Sequence, residues 1–191
     1  MRKIYGRLAL TSGGQLEKWL TALALNKTSH LEKWLSAIGG LLSLLGVLLV
    51  SHATLGPENA GTLVASMGAS AVLLFAVPHG PLSQPWPLLG GHLVSAFIGV
   101  SCAKLIADPT LAAATAVALA IGAMHYLNCI HPPGGATALS AVVSGDAVHQ
   151  LGYQFLLTPV LLNAVTILLI AVLFNYPLHW RRYPHSLRPR S

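Results

Sequence analysis

Between Lys33 and Arg181 the chain carries only four formal charges: Glu58, Lys104, Asp108 and Asp146. Of its 191 residues, 54% are hydrophobic and 8% charged, with a mean hydropathy of +0.65. Soluble domains carry about a quarter charged residues. A water-soluble globule of this size cannot hide so much apolar surface, so the class predicted is an all-α polytopic membrane protein in a lipid bilayer. The missing charge sits at the ends. Residues 1–33 hold six Lys or Arg against two Glu, a net of +4, and residues 181–191 hold four Arg and no acid, also +4. Basic flanks mark the cytoplasmic side of membrane spans. Both termini are therefore expected in the cytoplasm, with an even number of crossings. No basic-aromatic groove accompanies the positive charge, so nucleic acid is not expected as a partner.

The chain is read as three regions. Residues 1–34 repeat a Leu-Glu-Lys-Trp-Leu unit, at 16–20 and again at 31–35. Trp beside Lys at helical spacing predicts an amphipathic basic segment on the membrane surface, the alternative being a poorly ordered leader. No apolar core for a cleavable signal peptide is evident there. Residues 35–180 form the transmembrane domain, and residues 181–191 a basic cytoplasmic tail. Cys102 and Cys129 lie in apolar sequence and read as small buried hydrophobes.

Spans are expected at 35–53, 88–106, 111–127 and 155–176, because roughly 20 helical residues cross a ~30 Å hydrocarbon core. Residues 61–77 are also apolar but are interrupted by Ser66-Met67-Gly68-Ala69-Ser70. Gly91, Ser95 and Gly99 put small residues on one helix face, which lets backbones approach closely in lipid. Asp108 followed by Pro109 reads as a helix cap. Trp86, ending a proline-rich loop, suits a membrane interface. Five full-length spans conflict with two cytoplasmic ends. Either the short segment near 136–143 also crosses, or residues 61–77 only re-enter.

That short segment follows the chain's most unusual stretch, residues 128–139, Asn-Cys-Ile-His-Pro-Pro-Gly-Gly-Ala-Thr-Ala-Leu. Two prolines stop a helix and two glycines permit almost any turn. Broken backbone at membrane depth is tolerated only where protein or a water-filled cavity covers it, so this stretch must face inward. Gly68-Ala69-Ser70-Ala71-Val72 resembles Gly135-Ala136-Thr137-Ala138-Leu139. The chain then parses as about six membrane segments in two inverted three-segment repeats, 35–106 and 111–176. The second segment of each is broken or re-entrant, a plan used by many transporters.

A helix starting inside the membrane leaves its first N–H groups unpaired at the positive end of its dipole. The backbone donors of Gly134, Gly135, Ala136 and Thr137, with His131 and Asn128 beside them, suit a small anion. Ser66, Gly68 and Ser70 are read as a second, facing set. The competing reading is a tight surface turn; His, Asn and Thr in one run favour a site. His52, His79, His92, His125, His149 and His179 are read as satisfied polar residues rather than ligands, and no metal spacing or cofactor motif is present. An enzyme built on His131, His125 and Asp146 is the weakest alternative, since no nucleophile–base pair can be read. Lys104 is read as snorkelling, pairing with Asp108, or drawing anions to an entrance.

The run His131-Pro132-Pro133-Gly134-Gly135-Ala136-Thr137-Ala138-Leu139 resembles the signature of the HPP family of integral membrane proteins. The blocks 68–75, 84–86 and 155–163 are similar to others in that family, and the likeness covers residues 35–175. The resemblance implies four transmembrane helices, fewer than the spans counted here, a bacterial inner (plasma) membrane location, and an association with nitrite transport seen in cyanobacterial and plant members. The resulting expectation is a channel or carrier for a nitrite-like small anion, forming a homo-oligomer because so small a bundle has little surface to enclose a path. A non-transporting scaffold or sensor subunit is the alternative.

Overall fold

The computed structural model describes residues 28–56 and 60–185. The first Leu-Glu-Lys-Trp-Leu unit, the turn at Pro57, Glu58 and Asn59, and the tail beyond residue 185 lie outside them. The chain divides into two units, Met1–Trp34 and Leu35–Ser191. Among the described residues every regular element is helical. The main helices are α1 (His30–Leu55), α2 (Val64–Ala76), α3 (Pro85–Leu105), α4 (Pro109–Tyr126), α5 (Pro132–Val143), α6 (Asp146–Leu151) and α7 (Leu162–Asn175).

Among the described residues, four stretches are long and apolar enough to cross a membrane: α1, α3, α4, and Leu156–Asn175, in which a wide turn runs into α7. Helix α2 has 13 residues and α5 has 12. At 1.5 Å per residue these reach about 20 and 18 Å, short of a ~30 Å core.

Local chemistry explains where the helices begin. Ser29 Oγ accepts the Glu32 N–H at 3.1 Å, the first half of a capping box, so residues 31–35 belong to the opening turns of α1. Asp108 Oδ1 accepts the Leu111 N–H at 2.7 Å and Pro109 occupies the first turn of α4, as the sequence predicts. The expected interruption at residues 66–70 is not a break. Ser66 Oγ donates to Leu63 O at 3.0 Å, and Ser70 Oγ sits 3.1 Å from Ser66 O on the inward face, so neither hydroxyl interrupts the helix and α2 runs straight through. The last span does bend. Thr158, just before Pro159, takes the non-helical angles φ −133, ψ 109, which is where a residue preceding proline is pushed.

Helix α3 is the axis of the bundle, with half of its membrane-length window buried. Its small-residue face does what the spacing predicts. A Cβ added at Gly91 would lie 2.5 Å from His131 Cβ, and one at Gly99 would lie 2.5 Å from Ala138 O. On α4, Ala112, Ala116, Ala120 and Met124 recur every fourth residue and form the buried face, packing with Cys129, Ala138 and Val142. Both cysteines are free and buried. Helix α1 faces inward through Gly39, Ser43, Val47 and Ser51. Phe75 packs on Gly39 and Ile170 on Gly46, while Asn163 Nδ2 donates to Ser51 Oγ at 2.7 Å.

Contacts at the helix ends fix chain direction. At one end the buried Arg181 donates to Asn175 Oδ1 at 2.9 Å, to Ser36 Oγ at 3.2 Å and to the Phe75 carbonyl. Tyr183 OH donates to Ser83 O at 2.7 Å at this end, and burial pushes its phenol above the ordinary range. At the other end Lys104 Nζ lies over the Tyr153 ring, 5.9 Å from its centroid, and His149 Nε2 is 2.9 Å from Val142 O. The start of α1, the end of α2, the start of α3 and the end of α7 therefore share one end.

Candidate functional site

Three elements converge on one buried polar cluster. Helix α2 contributes Ser70, α3 contributes His92, and α5 contributes Thr137 with His131 as its N-cap. All four side chains are fully buried. Ser70 Oγ stands 2.8 Å from His131 Nε2 and 2.9 Å from His92 Nε2. His92 Nδ1 is 2.7 Å from Thr137 Oγ1, and His131 Nδ1 is 2.9 Å from Leu82 O. The two rings meet edge to face, centroids 4.9 Å apart.

The partners decide where the protons are. A carbonyl only accepts, so His131 must carry its proton on Nδ1 and donate to Leu82 O. Its bare Nε2 then accepts the Ser70 hydroxyl proton. Ser70 in turn accepts from His92 Nε2–H, and the bare His92 Nδ1 accepts from Thr137. The neutral cluster is one chain of donors running Thr137 → His92 → Ser70 → His131 → Leu82. The Ser66 carbonyl, 3.1 Å from Ser70 Oγ, competes for the serine proton; giving it up would leave His131 Nε2 buried without a donor.

The start of α5 differs from its expectation. Pro132 and Pro133 fill its first two positions, so two of the four donors a helix start exposes do not exist. The Gly134 N–H donates to His131 O at 2.8 Å. Its missing Cβ serves packing instead, since a Cβ there would lie 2.7 Å from Gly91 O and 2.8 Å from Ser95 Oγ. Backbone donation to an anion by Gly134 is therefore not what this helix start offers. Gly135 and Ala136 turn the other way and line a cleft of about 520 Å³ with Met124, His125 and Ile130.

Of the remaining expected residues, Asn128 is exposed and holds a left-handed turn at φ 52, its N–H on His125 O at 3.2 Å. Asparagine is among the few residues that adopt this angle readily. Ser66 is buried on its own helix turn, and Gly68 lines a separate cleft of about 380 Å³ beside α1. Ser70, His131 and Thr137 come together; Asn128, Ser66 and Gly68 do not join them. His92 and the Leu82 carbonyl were not anticipated. The available signal for His92 was its place mid-span beside Gly91, where a polar side chain is costly unless it has a function.

Spanning helices, a close-packed small-residue seam and a polar chain closed inside apolar walls define a multi-pass integral membrane protein. The chain belongs to the HPP family, whose model, described as the HPP transmembrane region, matches residues 25–184. Two transmembrane proteins of Dictyostelium discoideum are similar to it, 41% identical over 151 residues and 38% over 154. The alignments cover 75% and 73% of this chain but 48% and 54% of the relatives. The chain thus spans about half the length of the curated relatives it matches. No solved structure matches it.

Proposed function

We propose that this protein is a transporter, not an enzyme, that moves a small nitrite-like anion across the membrane with the Ser70–His92–His131–Thr137 cluster at its centre. The observation that carries the reading is the cluster itself: four polar side chains, all fully buried, joined in one chain between short and long helices. Polar groups at membrane depth are expensive and mark substrate or proton paths. The positive end of the α5 dipole favours a negative ligand beside His131 and Thr137. Nitrite as the particular anion comes from the family resemblance. The shared end of α1, α2, α3 and α7 supports six alternating segments arranged as two inverted repeats, with α2 and α5 as the short second segments. It also supports an even number of crossings; the basic flanks argue for cytoplasmic termini, and a bacterial inner membrane comes from the family resemblance. A homo-oligomer would help so small a bundle enclose a path.

Vesicles carrying the purified protein should take up nitrite faster than empty vesicles, and His131→Ala should slow that uptake. Equal uptake with and without protein would overturn the proposal. The complete burial of the cluster favours one rival, a non-transporting scaffold or sensor subunit, which predicts a stable protein partner and no flux.

A further inference from the structure

We infer that Thr137, His92, Ser70 and His131 form a one-proton store, which takes up a proton at Thr137 and holds it on His131 by reversing every hydrogen bond between them. The basis is the direction of the chain. Leu82 O closes the His131 end, because a carbonyl cannot pass a proton on, so the chain opens only at the Thr137 hydroxyl. The transfers balance. An incoming proton bonds to the Thr137 oxygen, and that hydroxyl's own proton moves to His92 Nδ1. His92 Nε2 gives its proton to Ser70, and Ser70 gives its own to His131 Nε2. Four bonds to hydrogen form and three break, for a net gain of one proton. His131 becomes the cation and His92 stays neutral with its proton on the other nitrogen. The hydroxyl proton of Thr137 then turns towards Pro133 O, 3.5 Å away.

Few other ionisable groups face this chain. Helix α2, helix α5, residues 156–161 and α7 bring none. Helix α3 adds Cys102 and Lys104 towards its far end, and α4 adds His125 in its last turn. Cys129 packs on Gly90, Arg181 caps the end of α2 at the Phe75 carbonyl, and Tyr183 bonds Ser83 next to Leu82. The carboxylates of Asp108, at the cap of α4, and Asp146, with His149 on α6 beyond the end of α5, lie at the far ends of those helices, so the stored positive charge gains most from an anion beside it. Anion and proton would therefore favour each other's binding by the same factor. This coupling rests on the transport reading above; the proton store itself does not.

The test is nitrogen NMR of the full chain, ¹⁵N-labelled at histidine, in lipid bilayers and without nitrite, as pH is lowered. The His92 and His131 signals are assigned with His92→Gln and His131→Gln. The expected result is one step in which His131 gains a second N–H while His92 moves its single N–H from Nε2 to Nδ1. A His92 that keeps Nε2–H, with the Ser66 carbonyl taking the Ser70 proton, would overturn the inference. So would two doubly protonated rings, or no second proton on either ring down to the pH at which the protein unfolds. Thr137→Ser should keep the switch and Thr137→Val should abolish it; a switch that persists in Thr137→Val overturns entry at Thr137. Nitrite flux without the tautomer switch would sink the store and spare the transporter, and the reverse outcome would spare the store.

Discussion

Thr137 contributes a single hydroxyl, and its surroundings set what that hydroxyl is worth. It lies 2.7 Å from His92 Nδ1 in a fully buried position. Valine has nearly the same shape but no donor, so it would leave an imidazole nitrogen unpaired. An orphaned buried polar group costs about 1–3 kcal/mol. Thr137→Val is therefore expected to lower unfolding stability in detergent by about 2 kcal/mol, while Thr137→Ser, which keeps the donor and loses one methyl, costs about 1 kcal/mol. Equal losses would mean that the hydroxyl is not in the chain. At this scale the sequence was partly legible. His131 and Thr137 announce themselves because they flank a double proline in apolar surroundings. His92 does not, because its importance depends on which face of α3 meets α2 and α5. The Leu82 carbonyl leaves no trace at all, since any residue type can supply one.

Among the elements, α3 and α5 form the closest seam. Gly99 sits against Ala138 O so tightly that a methyl group must displace backbone. Overpacking of this kind costs about 1–3 kcal/mol, and Gly99→Ala should lower the stability by that much. Gly122 lies within α4 with nothing near its absent Cβ. There alanine only improves helix propensity, so Gly122→Ala should be stabilising by about 0.5–1 kcal/mol. Thermal unfolding of the two variants side by side checks both signs. The Gly91-Ser95-Gly99 spacing revealed this seam in advance because close approach leaves a local pattern of small residues. The interruption at 66–70 misled for the opposite reason: serine looks like a helix breaker in apolar sequence, yet Ser66 bonds its own helix carbonyl and Ser70 spends its hydroxyl on the two histidines. The start of α5 combined both lessons. The double proline correctly marked where the helix begins, while the Gly134 N–H expected to serve an anion is taken by His131 O, and Gly135 and Ala136 line a different cleft.

For the whole molecule, the scarcity of charge was enough to place it in a membrane, whereas the even number of crossings argued from its basic ends belongs to the proposal above. Which segments are short was harder to see, because apolar composition does not distinguish a 13-residue helix from a crossing one. The arrangement that results encloses one polar chain in an apolar bundle, and a ligand bound there would stabilise the fold as a unit. A ligand present at about 100 times its Kd adds roughly 2.7 kcal/mol of stability, which appears as a raised Tm. The most direct test of the central claim is the Tm of the wild type and of His92→Gln across a nitrite titration, with sulfate as the ionic-strength control. The account predicts a nitrite-dependent rise in the wild type that is lost in His92→Gln and absent with sulfate. No rise in the wild type, or the same rise in both proteins, would contradict it.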